Sequence, residues 1–160
     1  MHYWRRQKKK MISMDLRGQA NSLISQYNTN DPFEICDLLN IKIMRWPLGN
    51  MRGYFYQNEN GKVIVLNNSL EQYAEKFVCA HELGHYILHG GLNRVFLDSQ
   101  TFLNTAKCEK EANAFAMLFL YPDDKEFLEY GETIENISIE TGCRDELVEL
   151  RLFWAKNNFS

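Results

Sequence analysis

The chain reads as an α+β fold, a mainly helical single domain with a small three-stranded antiparallel sheet packed beside one central helix. Three observations predict it. Apolar residues recur at three- and four-residue intervals through most of the sequence, the period of amphipathic helices. Three short runs rich in Ile, Val, Met, Tyr and Phe sit together between residues 41 and 66, divided by Asn and Gly. And 160 residues are enough for one hydrophobic core but too few for two comfortable domains.

Taken in order, Leu16, Ala20, Leu23, Ile24 and Tyr27 place a helix over 14–27. Asp31-Pro32-Phe33-Glu34 opens a second, with Asp31 as cap, Pro32 in the first turn and Glu34 completing a capping box, and it ends near Asn40. Strands follow at 41–46, 51–57 and 62–66, the last two joined by a turn through Asn58, Asn60 and Gly61. Ser69 with Gln72 then forms a capping box for a helix whose apolar face is Tyr73, Phe77, Ala80, Gly84 and Leu88, and Gly90-Gly91 ends it. A helix over about 106–120 is stopped by Pro122, and another is opened by Asp123 with Glu126 as its box partner. A helix-turn-helix-like pair, 134–140 and 144–156, is separated by Gly142-Cys143. Residues 1–13, with Arg5, Arg6, Lys8, Lys9 and Lys10, are expected to form a basic, poorly ordered tail. The remainder, 14–160, is expected to be one domain with its core at 14–122 and C-terminal helices at 123–160.

Composition narrows the function classes. A net charge of −3 makes no general case for nucleic-acid binding. Cys36, Cys79, Cys108 and Cys143 lack C-x-x-C spacing and follow no signal peptide, so they read as reduced thiols of a cytoplasmic protein. The longest apolar stretch, 112–121, is interrupted by Asn113 and is too short to span a bilayer.

The chemistry lies in His81-Glu82-Leu83-Gly84-His85, the H-E-x-x-H pattern. Two imidazoles four residues apart share a helix face and can bind one metal ion, while Glu82 points at the position left for water as general base. A third protein ligand is expected from Cys108-Glu109-Lys110-Glu111-Ala112-Asn113-Ala114-Phe115-Ala116. Glu109 shares a face with Ala112, Asn113 and Ala116, small enough to let two helices approach, and is favoured. Glu111, turned about 200° away, is the alternative. Asn113 and His89 are candidates for supporting contacts to the ligands. His89 itself is about 12 Å of axial rise from His81, too far for one ion to take all three histidines from a regular helix. Leu88 stands where the metzincin pattern needs its bending glycine. Tyr54, Tyr56 and Tyr86 are candidate donors to a developing oxyanion. The strand at 51–57 or its neighbour at 62–66 is the candidate edge for an extended substrate.

The chain resembles the ImmA/IrrE family of zinc metallopeptidases. The resemblance is carried by Ala80-His81-Glu82-Leu83-Gly84-His85-Tyr86-Ile87-Leu88-His89 and by Glu109-Lys110-Glu111-Ala112-Asn113-Ala114-Phe115-Ala116, with Pro122, Arg52-Gly53-Tyr54 and Asn67. It implies a gluzincin-like centre with one Zn2+ per chain held by His81, His85 and a glutamate, and it supports Glu109 through the pattern E-x-x-A-N-x-F-A. It further implies a short, stand-alone anti-repressor that cleaves a helix-turn-helix repressor of a phage or integrative element. The alternative is a metal-binding regulatory module that binds a repressor without hydrolysing it, against which the intact Glu82 argues. Direct DNA binding through the last two helices is disfavoured, because Asp145, Glu146 and Glu149 oppose Arg144 and Arg151.

Overall fold

The computed structural model of the chain describes residues 16–90 and 102–157. Within them lie seven helices and one three-stranded sheet. Their order is α1 (16–27), α2 (Pro32–Leu38), β1 (Ile41–Trp46), β2 (Gly53–Asn58), β3 (Gly61–Asn67), α3 (Gln72–His89), α4 (Phe102–Leu120), α5 (Asp124–Glu129), α6 (Ile134–Thr141) and α7 (Asp145–Asn157). The mainly helical α+β reading holds, and the tail expected over 1–13 lies outside the described residues. One contiguous apolar core runs from Leu16 on α1 to Val148 on α7, through Ile64, Leu83, Phe115 and Phe119.

The sheet departs from expectation. Its order is β1-β3-β2, with β2 antiparallel to β3 and β1 parallel to β3, so it is mixed rather than wholly antiparallel. The hairpin forms as its turn residues dictate: Asn58 Oδ1 accepts from the Asn60 amide at 2.9 Å, and Gly61 takes φ +134°. β3 carries the densest apolar run, with Ile64, Val65 and Leu66 all buried, and it takes the central place. β1 therefore pairs with the far edge of β3, which requires residues 47–52 to step across one strand, about 10 Å at two interstrand spacings. Asn67 holds that crossing. Its side-chain amide donates to the carbonyls of Gly49 at 3.0 Å and Met51 at 2.8 Å, and its oxygen accepts from the amide and hydroxyl of Ser69.

That last contact also corrects the expected start of α3. With the Ser69 hydroxyl donating to Asn67, no Ser69–Gln72 capping box forms, and the helix begins at Gln72 after Glu71, without a side-chain cap. Asp31 caps α2 as expected, accepting from the Phe33 amide at 2.9 Å. The rest of that box is relayed: the Asp31 amide donates to Thr29 Oγ1, whose hydroxyl donates to Glu34 at 2.6 Å. Asp123 and Thr133 cap α5 and α6, and Gly90 and Gly142 close α3 and α6 in the left-handed conformation.

The sheet face bearing Gly53, Phe55, Ile64 and Leu66 packs on the helices. Phe55 lies against Tyr86 of α3 with ring centroids 5.3 Å apart, and Arg45 pairs with Glu75 of the same helix. On the other side of α3 lies α4. A Cβ on Gly84 would come within 2.9 Å of Phe115 and 3.4 Å of the Ala112 carbonyl, so this glycine sets how closely the two helices approach. Ala112 and Ala116, both fully buried, complete the small-residue seam.

Candidate metal centre

Helical spacing puts His81 and His85 on one face of α3, one turn apart, and the close α3–α4 approach delivers Glu109 to them. Three contacts of 3.1 Å result: His81 Nε2 to Glu109 Oε2, His85 Nε2 to Glu109 Oε1, and His81 Nε2 to His85 Nε2. A zinc ion bound at about 2.0–2.1 Å in tetrahedral geometry spaces its ligand atoms by roughly 3.3 Å, so the three side chains fit such an ion with little adjustment. Two imidazole nitrogens and a carboxylate are also the donor types that zinc and several other divalent ions accept. Glu82 is buried on the same helix, 6 % exposed.

The electrostatics match the geometry. Burial works to raise the Glu109 carboxyl, but hydrogen bonds and charge from His81 and His85 outweigh it and hold the group well below the usual carboxylate range. Glu109 is therefore ionised near neutral pH.

Of the other residues singled out in the sequence, Glu111 does not join this cluster. The angular separation of the two glutamates gives them different targets: Glu111 Oε2 lies 2.9 Å from His89 Nε2, one turn farther along α3, and its other oxygen lies 3.7 Å from Lys107. His89 Nδ1 in turn lies 3.1 Å from His85 Nδ1. Burial holds the His89 imidazole below its ordinary pKa even though Glu111 acts to raise it. Asn113 is half-buried one turn beyond Glu109.

The tyrosines are dispersed. Side chains alternate along a strand, and Gly53 and Phe55 face α3, so Tyr54 and Tyr56 project from the opposite sheet face. Tyr86 sits on α3, where its hydroxyl accepts from Lys62 Nζ at 3.2 Å. The structure therefore does not bring Tyr54 and Tyr56 to the α3 side of the sheet. Of the two candidate substrate strands, β3 is central and paired on both sides, whereas β2 is an edge that packs directly on α3.

An H-E-x-x-H helix beside a small sheet, completed by a glutamate from the next helix, is the layout of a metallopeptidase site. Comparison with known proteins agrees: residues 36–152 match the IrrE N-terminal-like domain of peptidases. The chain is 33% identical over 147 residues to uncharacterized immunity region protein 2 of Bacillus phage phi105, covering 90% of this chain and 93% of that protein. It is 32% identical over 113 residues to metallopeptidase ImmA of Bacillus subtilis strain 168, covering 69% and 66% of the two chains. The chain belongs to the ImmA/IrrE family of metallopeptidases. Among the described residues, no helix is long and apolar enough to cross a membrane.

Proposed function

We propose that the chain is a zinc-dependent endopeptidase that makes one site-specific cut in a protein substrate, a helix-turn-helix repressor of a mobile element, and so acts in the cytoplasm as an anti-repressor. The observation that carries the catalytic part is the convergence of His81, His85 and Glu109 at 3.1 Å contacts, with Glu82 buried one position from His81. The likeness to an immunity region protein of a phage and to ImmA supports the regulatory setting.

In this reading His81, His85 and Glu109 hold one zinc ion per chain, which supplies Lewis acidity toward a water molecule and the scissile carbonyl. Glu82 accepts a proton from the attacking water as the new C–O bond forms, and returns it to the amine as the C–N bond breaks. An extended substrate segment lies along the outer edge of β2 and is taken up as a further strand. Arg151, one of the arginines of the C-terminal helix pair, is fully buried and cannot reach a phosphate, which supports a packing role for that helix.

Glu82→Gln tests the proposal and separates it from a module that binds without cutting. The variant is expected to retain about one zinc by elemental analysis while cleavage of helix-turn-helix repressors falls by at least about 100-fold. Cleavage undiminished in Glu82→Gln would overturn the mechanism, and repressor binding with no cleavage by the wild type would leave the binding module in its place.

A further inference from the structure

Resting on the metal-centre reading above, we propose that His89 and Glu111 form a relay that fixes and polarises His85, so that the centre is supported from one side by a histidine and a carboxylate that never touch the metal.

The contacts run outward in a line. His85 Nδ1 is 3.1 Å from His89 Nδ1, and His89 Nε2 is 2.9 Å from Glu111 Oε2. A single condition fixes every proton along it. His85 turns Nε2 toward His81 and Glu109, and with a cation held there the lone pair on that nitrogen would be committed to it, so neutral His85 would then carry its hydrogen on Nδ1. That N–H points at His89 Nδ1, which must accept. His89 then carries its hydrogen on Nε2, and Glu111 Oε2 accepts it. Each group along the line meets a partner of the right kind, with no proton missing or in excess.

The surroundings suit the task. The His89 side chain is 8% exposed and that of Glu111 is 20% exposed, so water competes little for either contact. His85 and His89 are one turn apart on α3, and α4 brings Glu111 to the far end. The same α3–α4 seam therefore places Glu109 on the metal side of His85 and Glu111 behind it. The other histidine of the pair lacks this support. His81 Nδ1 is buried with no hydrogen-bond partner among the described residues. The two histidines are therefore unequal, with the His85 ring held and its basicity raised from behind.

The test is metal affinity with Zn2+ and Co2+, read by chelator competition and by the visible bands of the cobalt form, on wild type, His89→Phe, His89→Asn and Glu111→Gln. His89→Phe keeps a ring but loses the acceptor, and is expected to weaken metal binding by about 10- to 100-fold and shift the cobalt bands. His89→Asn places an amide oxygen near the lost Nδ1 and is expected to recover most of the affinity. Glu111→Gln, which removes only the charge at the outer end, is expected to fall between, and it tests the relay whether or not His89→Phe folds. A purely structural role would lower the melting temperature of the metal-free chain and leave affinity and spectrum unmoved. Affinity and bands equal to wild type in folded His89→Phe or in Glu111→Gln would overturn the relay alone. A wild-type chain that binds neither ion would overturn the metal-centre reading and the relay with it.

Discussion

Cys79 precedes the first histidine of the cluster by two positions on α3, yet it faces inward, where its sulfur lies 3.9 Å from that of Cys36 on α2. Both residues are fully buried, and the hydrogen bond to Cys36, followed by burial, pushes the Cys79 thiol far up. A thiol that does not ionise is neither a nucleophile nor a metal ligand near neutral pH. With both sulfurs fully buried against each other, the pair is a packing contact between α2 and the back of the metal helix. Alkylation at pH 8 with mass mapping is expected to leave Cys36 and Cys79 unmodified in the native chain and to label them only after unfolding. Labelling of either in the native state would show that the α2–α3 contact opens. The same helix thus presents inert sulfur to the core and imidazole nitrogen to the site, a division set by helical phase alone.

At the scale of elements, the α3–α4 seam decides whether the three side chains of the centre meet. Gly84 is its narrowest point, because an added Cβ would lie 2.9 Å from Phe115 and 3.4 Å from the Ala112 carbonyl. Gly84→Ala is expected to cost about 1–3 kcal/mol in urea unfolding through overpacking. By moving Glu109 away from His81 and His85, it is also expected to weaken zinc binding. A variant with unchanged metal affinity would show that α4 adjusts without carrying Glu109 with it. Much of this element was legible in advance. The ligand spacing, the glycine stops and the small residues on α4 are local signals, and each depends only on helix geometry. The strand pairing was not legible, because a turn signal such as Asn58 to Gly61 fixes only the hairpin it closes. The partner of β1 depended on burial of β3 and on Asn67 holding the 47–52 crossing. The Ser69 cap failed because the neighbouring Asn67, itself anchored to the Gly49 and Met51 carbonyls, takes the hydroxyl. The contact between Glu111 and His89 was beyond reach too, since helical phase set the two glutamates apart but did not say what each would touch.

Across the whole molecule, one buried ion cluster ties the C-terminal helices to the rest. Arg151 on α7 is fully buried and donates to Asp124 of α5 at 2.6 Å and to the Tyr121 carbonyl beyond α4 at 2.8 Å, with its guanidinium 5.2 Å from the centre of the Phe127 ring. Arg17 on α1 reaches the same Asp124 oxygen at 3.1 Å and the Trp154 carbonyl at 3.2 Å. First and last helices therefore share one carboxylate, and a single cooperative unfolding transition is expected for the domain. Burial acts to raise the Asp124 carboxyl, but Arg151 and then Arg17 outweigh it and leave it below the ordinary carboxylate value of 3.8. The native state then takes up this proton less readily than the unfolded chain. The stabilisation is fully present above about pH 4, and it is lost as the pH falls below that value toward the lower native one. Asp124→Asn leaves two arginines without their counter-charge, one of them wholly buried, and is expected to cost about 3–5 kcal/mol at pH 7. Urea unfolding of wild type and variant between pH 3 and pH 7 isolates the effect, because every other carboxylate is common to both. The difference between them is expected to stay constant down to about pH 4 and to shrink below it. A difference that is small at pH 7, or that does not narrow in acid, would show that the cluster is not what joins α1, α5 and α7.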